Sequence, residues 1–75
     1  QEIEAVLETH PAVEGAQVVG ATIAREPVAV AFIVPAPGAT YDEAALRDWC
    51  KARLAGYKVP RRFVAIDAFP TTPSA

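Results

Sequence analysis

Three cationic side chains lie close together beside a glycine and an aromatic ring. Lys58, Arg61 and Arg62 follow Gly56 and Tyr57 in a short link between two segments that read as regular structure. Loops held by rigid elements are where binding residues collect, so this group is a candidate anion site. The residues alone leave open a second interpretation, a solvated basic rim that keeps a small domain soluble. They also leave open whether the Tyr57 ring packs on the core or stacks on a ligand.

No other group of residues predicts chemistry. His10 is the only histidine, and its place at the end of the first predicted helix favours a capping or surface role. Cys50 is the only cysteine, and beside Trp49 on an apolar helix face it is expected to pack as a small hydrophobe. A metal site or a catalytic triad cannot be assembled from these residues, and the four glycines are too scattered for a phosphate loop.

Length and composition predict a single small domain. The chain has 75 residues, 52% of them hydrophobic, which is enough for one core of marginal stability. A net charge of -2 argues against a general nucleic-acid binder. The longest apolar run, residues 28–34, is too short to span a bilayer, and no signal sequence opens the chain. One cysteine fits a reducing compartment, so the expected location is the cytoplasm.

The first half of the chain predicts a helix followed by a hairpin. Ile3, Val6 and Leu7 form one apolar stripe at helical spacing, and Pro11 ends that helix. Residues 16–19 and 28–34 read as strands, and the second is apolar at every position, so both of its faces are expected to be covered. The intervening residues 22–27 form a turn of moderate length, which suits an antiparallel pair.

The second half predicts another helix and another strand. Thr40 and Glu43 form a capping box that should start the helix, and Gly56 is placed to stop it. Glu43 can pair with Arg47 on its outer side. Its apolar face is predicted to contain Leu46, Trp49, Cys50 and Leu54. Residues 62–67 read as a third strand, so the fold class is α+β: a helix-strand-strand-helix-strand domain whose helices pack on a three-stranded sheet.

The order of short motifs along the chain resembles the C-terminal domain of AMP-forming acyl-CoA synthetases. The motifs are EIE (2–4), HPAV (10–13), VVG (18–20), AFIVP (31–35), PGAT (37–40), LAGYKVP (54–60) and PTTPS (70–74). The resemblance that they carry extends over essentially the whole chain. The resemblance implies that residues 1–75 form one mobile domain of an enzyme that joins a carboxylic acid to CoA. ATP and the acid first give an acyl-adenylate, and the CoA thiol then displaces AMP.

The resemblance also assigns roles to residues. It implies that Gly56 and Tyr57 line the path of the pantetheine arm, and that Lys58 or Arg61 meets the phosphates of CoA. Pro70, Thr72 and Ser74 match the start of the motif that carries the adenylation lysine, which would lie beyond Ala75, so no catalytic residue is expected within the chain. ATP and CoA would be substrates of the whole enzyme, with Mg²⁺ bound alongside ATP but not by this domain.

The implied partners are an N-terminal domain of the same enzyme, which would hold ATP and the acid, and the CoA acceptor itself. The domain by itself is expected to be inactive. One alternative within the family is an adenylation domain that loads a carrier protein. Another, from a different class, is a stand-alone α+β module for interaction or ligand sensing. In that case residues 56–62, which we call the basic turn, are only a solvated rim that keeps the domain soluble.

Overall fold

Residues 2–69 are described by the computed structural model, and their elements run helix, strand, strand, helix, strand. The elements are α1 (Glu2–Glu8), β1 (Val13–Ile23), β2 (Glu26–Pro35), α2 (Glu43–Arg53) and β3 (Arg62–Ala65), with a 3₁₀ turn at Gly56–Lys58 before β3. The predicted α+β class is confirmed. The motif that begins at Pro70 lies outside the described residues.

Strand β2 is the centre of the sheet. It pairs antiparallel with β1 and parallel with β3, which gives the order β1-β2-β3. A parallel neighbour requires a crossover, and α2 with the turn after it supplies that connection. The pairing extends one residue before β3, because the Arg61 amide donates to the Ala29 carbonyl at 2.8 Å. The end of the basic turn is thereby fixed to the central strand.

The hairpin between β1 and β2 is tighter than the sequence predicts. The strands extend to Ile23 and Glu26, so only Ala24 and Arg25 connect them. Both have left-handed backbone angles, with φ of 51° and 68°. A type I′ turn requires such angles at both of its central residues, and its twist matches that of the strands. The sequence that normally forms this turn is Asn-Gly. The turn is therefore strained, because neither residue relieves the clash at Cβ.

Replacing the Ala24-Arg25 pair by Asn-Gly is expected to raise the free energy of unfolding by about 1 kcal/mol, since it removes this strain. Urea unfolding followed by circular dichroism measures the change. As a control, Ala52→Gly adds a glycine at an ordinary position on the exposed side of α2. It should lower the free energy of unfolding by about 1 kcal/mol. An unchanged midpoint for the turn variant would show that the hairpin is not strained.

Both helices pack on one face of the sheet. Leu7 of α1 and Cys50 of α2 are completely buried, as are Ala31 and Ile33 of β2. Alternation along β2 places these two strand residues on the same face, under the helices. Burial raises the pKa of the Cys50 thiol and outweighs the lowering by Arg47 and Arg53. Cys50 is therefore a packed apolar side chain, as the sequence predicts, and not a reactive thiolate.

Trp49 joins the two helices at their outer edge. Its indole N–H donates to the Val6 carbonyl at 3.0 Å, and the guanidinium of Arg53 lies 3.4 Å from the centre of its ring. The His10 ring meets Trp49 edge-on at 4.6 Å between centroids. The Nδ1 of His10 accepts the Ala12 amide at 3.0 Å, which orders the turn after α1. This bond is not a helix cap, because the last carbonyls of a helix need donors, so it does not confirm the predicted capping role.

The outer edge of β1 is covered by carboxylates from α1. Glu4 accepts the Val18 amide at 2.7 Å, and Glu8 accepts the Ala16 amide at 3.3 Å. Two glutamates that are four residues apart on the helix thus reach two amides that are two residues apart on the strand. These amides would otherwise be unpaired donors on a sheet edge, which is a site of unwanted strand pairing.

The opposite face of the sheet is crossed by the chain that follows β3. Strand β3 ends at Ala65 rather than at residue 67, and the Ile66 amide donates to the Ile33 carbonyl at 2.8 Å. Ile66 then lines a small hollow together with Phe32 of β2. Phe69 reaches β1, where its ring would lie 2.8 Å from a Cβ placed on Gly15. This segment therefore partly covers the second face of β2, which the apolar sequence of that strand predicts to be buried.

Helix α2 is shorter at both ends than the sequence predicts. It begins at Glu43 with Asp42 as N-cap, whose side chain accepts the Ala45 amide at 3.2 Å. The predicted cap at Thr40 is therefore wrong. The helix ends at Arg53, so Gly56 does not stop it and instead opens the 3₁₀ turn. The predicted Glu43–Arg47 ion pair is present, at 2.9 Å.

Candidate functional site

The basic turn is held at both ends by buried side chains. Leu54, just after α2, is 7% exposed, and Pro60 is fully buried. Between them the Lys58 amide donates to the Ala55 carbonyl at 2.8 Å, which closes the 3₁₀ turn. Three exposed or half-exposed residues, Gly56–Lys58, therefore stand on a fixed base. Such a loop presents side chains in defined positions.

A groove of about 480 Å³ lies between this turn, α1 and one end of the β1–β2 hairpin. Its floor includes Gly20 and Ala29, which face each other across the two strands. Because neither has a large side chain, the sheet surface is low at this point. The other lining residues are Ile3, Val18, Val19, Pro27, Val28, Tyr57, Val59 and Arg61. Most of the lining side chains are therefore apolar, with one guanidinium and one phenol at the rim.

Tyr57 does not pack on the core. Its side chain is 86% exposed, although the turn that carries it is anchored. The structure thus answers one question that the sequence leaves open. An aromatic ring in this position offers a flat apolar surface to a molecule lying in the groove.

Lys58 is held by a carboxylate from α1. Its Nζ lies 2.6 Å from Oε1 of Glu2, which is 56 residues away in the sequence. The hydrogen bond to Glu2 is the main reason that the pKa of Lys58 is raised above its usual value, with the charges of Glu2 and Tyr57 adding to it. Lys58 therefore stays protonated and remains fully cationic at neutral pH.

Arg61 reaches the rim of the groove from a fixed backbone. Its Nη1 lies 3.6 Å from Oε1 of Glu26 at the start of β2. Its carbonyl accepts from the guanidinium of Arg47 at 3.2 Å, and its amide is bonded to β2. Arg62 differs, because it does not line this groove. It lines a second hollow with Glu43, which Arg61 also borders, and residues 2–69 provide no ion pair for Arg62.

The structure brings two of the four predicted site residues into one groove. Tyr57 and Arg61 line it, whereas Gly56 and Lys58 belong to the same turn but do not line it. The sequence analysis missed Gly20 because it ends the first strand at residue 19, whereas the structure places this glycine inside β1, where another molecule can approach closely. It also missed Glu2 and Glu26 as partners of the cations, since no local pattern connects them.

Within residues 2–69, no group of three or more His, Cys, Asp and Glu side chains could hold a metal ion. None of the described helices is long and apolar enough to cross a membrane.

Comparison with known proteins shows the family. Residues 2–75 match the model of the AMP-binding enzyme C-terminal domain. The chain is 49% identical over 72 residues to 2-succinylbenzoate--CoA ligase of Geobacillus kaustophilus. This match covers 92% of the chain and 14% of that protein. It is 42% identical over 74 residues to phosphinothricin tripeptide synthetase PhsC of Streptomyces viridochromogenes, covering 97% of the chain and 7% of the relative.

The fold is also found in solved structures. A benzoate CoA ligase from Burkholderia xenovorans superposes with a TM-score of 0.88 at 35% identity, and the match covers 95% of this chain and 15% of that one. The chain thus spans only a small part of each relative, and it matches that part almost from end to end. The helix-strand-strand-helix-strand domain described above therefore belongs to the AMP-binding enzyme C-terminal domain family.

Proposed function

We propose that the chain is the mobile C-terminal domain of an ATP-dependent, AMP-forming carboxylic acid:CoA ligase, and that its groove receives CoA in the thioester-forming step. An N-terminal domain of the same protein would hold ATP, its Mg²⁺ and the acid. Relatives that join acids to CoA support this proposal, since the chain is 49% identical to part of one of them. Because the reaction consumes ATP and CoA, and Cys50 is a free buried thiol, a cytoplasmic location is also proposed.

The observation that carries the proposal is the shape and polarity of the groove. Its apolar floor suits a narrow chain such as the pantetheine arm, and the exposed ring of Tyr57 stands beside it. Arg61 at the rim suits a phosphate, because guanidinium groups bind phosphate oxygens through two parallel hydrogen bonds. Under this proposal the domain alone would be inactive, because ATP and the acid would be bound by the N-terminal domain.

The role of Arg61 can be tested in the full-length protein. Arg61→Ala is expected to raise the apparent KM for CoA about fivefold, because one solvent-exposed charge contact is lost. The rate of adenylate formation should be unchanged. Thioester formation at limiting CoA is the measurement. Arg62→Ala is the matched control, because it removes the same charge one residue away and outside the groove. Equal KM values for wild type and Arg61→Ala would refute the phosphate role.

A carrier-protein acceptor is the second candidate, and it rests on the 42% identity to part of a peptide synthetase. The groove would then receive a phosphopantetheine arm attached to protein. The same assay separates the two candidates, because a carrier-loading enzyme would form no thioester with free CoA at any concentration. It would instead transfer the acyl group to a carrier protein.

A further inference from the structure

Arg61 at the rim of the groove, and Lys58 beside the groove on the same turn, each face a carboxylate of the same chain. Lys58 lies 2.6 Å from Glu2, and Arg61 lies 3.6 Å from Glu26. Glu2 belongs to α1 and Glu26 to β2, so the two carboxylates approach the turn from separate elements. An anion that enters the groove therefore meets Arg61 at the rim, with Lys58 just outside the lining, and a carboxylate partly neutralises the charge of each cation.

These contacts are weak enough to be exchanged. The side chains of Arg61 and Glu26 are 58% and 65% exposed, and those of Lys58 and Glu2 are 36% and 58% exposed. Exposed ion pairs contribute little to stability, because water and salt screen them and two flexible side chains must be ordered. An incoming phosphate can replace either carboxylate without disturbing the helix or strand that carries it.

We propose that Glu2 and Glu26 are built-in competitors that set the affinity of the groove for anions. Each carboxylate occupies a cation until a more highly charged group displaces it. A phosphate monoester carries up to two negative charges and three acceptor oxygens, so it competes well with a carboxylate, which carries one charge. The groove is thereby selective for ligands with several phosphate charges, such as free CoA, over singly charged metabolites. This inference rests on the proposed binding of CoA in the groove.

The experiment measures the dissociation constant of CoA for the full-length protein by isothermal titration calorimetry. Glu2→Gln and Glu26→Gln each keep the shape of the side chain and remove its charge. Each is expected to lower the dissociation constant of CoA two- to fivefold, the range that an exposed ion pair allows. Acetyl phosphate serves as a smaller anionic probe, and its binding is expected to strengthen by at least the same factor.

Glu14→Gln is the matched control. Glu14 is an exposed glutamate near the start of β1, at the opposite end of the strand from Gly20, and its removal changes the net charge equally. If all three variants tighten CoA binding to the same extent, the effect is one of net charge and the inference is wrong. It is also wrong if Glu2→Gln and Glu26→Gln bind CoA as wild type does or more weakly. The carboxylates would then have no effect on CoA binding, or would assist it by positioning the cations.

The failure of the inference differs from the failure of the proposed function. If Arg61→Ala weakens CoA binding but the two glutamine variants do not tighten it, the groove binds CoA without internal competition. If neither Arg61→Ala nor the glutamine variants change the dissociation constant, CoA binds elsewhere and both proposals are wrong.

Discussion

Gly20→Leu is expected to weaken CoA binding about ten- to hundredfold while leaving the domain folded. A Cβ added at Gly20 meets no atom within 4 Å, so the new side chain projects into the open space of the groove. A ligand that occupies this space would have to displace or overlap the leucine, and overpacking of that kind costs about 1–3 kcal/mol. The substitution should not destabilise β1, because glycine is a poor strand residue and Gly20 has no positive φ.

The measurement is the dissociation constant of CoA for the full-length protein, with thermal unfolding recorded on the same sample. Thr22→Leu is the matched control, because it adds an apolar side chain two residues along the same strand but outside the groove lining. The variant should bind CoA as wild type does. Normal CoA binding by Gly20→Leu with an intact fold would mean that the groove is not the CoA site.

The order and type of the elements could be predicted from the sequence because each has a local signal. The apolar stripe at Ile3, Val6 and Leu7 identifies α1, and the apolar run in residues 28–34 identifies β2. Element boundaries were predicted less well. Two residues near the start of α2 are good caps, and the sequence pattern favoured Thr40, whereas the folded chain uses Asp42.

Packing explains why Asp42 is the cap. With Asp42 at this position, Tyr41 precedes the helix and Leu46 lies in its first turns, and both join the core. An apolar pair that flanks a cap in this way fixes the angle at which the chain enters the helix. Glu43 is then free to pair with Arg47, instead of reaching back as a capping box requires. This choice depends on the sheet beneath the helix, which a local pattern does not contain.

The candidate site shows the same division. The turn at Gly56–Lys58 and the cation at Arg61 could be located from sequence, since they cluster within a few residues. The groove could not, because parallel pairing of β2 with β3 is what brings Arg61 beside Ala29. The partners Glu26 and Glu2 also come from distant parts of the chain, the first from β2 and the second from α1. Long-range pairing therefore turns a local basic cluster into a site with a floor, a rim and competing charges.

The parallel strand also makes the site depend on the core beneath it. Arg61 is held by its bond to Ala29, and two residues further along, Phe63 is buried against Ala31 of the same strand pair. Any loss of packing under β2 would release β3 and with it the rim of the groove. Core stability and ligand binding are thus linked through the central strand.

Ile33→Ala is expected to lower the free energy of unfolding by about 2–5 kcal/mol. Ile33 is completely buried in the central strand, between the core side chains of both helices and its neighbours Ala16 and Ala65 in the sheet. Removing three carbons leaves a cavity that β2 cannot close, since it is paired on both sides. A domain of this length has a total free energy of unfolding of about 4–11 kcal/mol, so a large part of its stability would be lost.

Urea unfolding of the 75-residue chain, followed by circular dichroism, measures this change, and Val64→Ala is the matched control. Val64 lies in β3 and is 38% exposed, so its truncation removes apolar area from a partly hydrated side chain and should cost less than about 1 kcal/mol. Equal losses for the two variants would contradict the assignment of the core to the helix-covered face. A large loss for Ile33→Ala alone would show that β2 carries the stability on which the position of Arg61 depends. The same variant in the full-length protein should then weaken CoA binding, because β3 and the groove rim would no longer be fixed to the central strand.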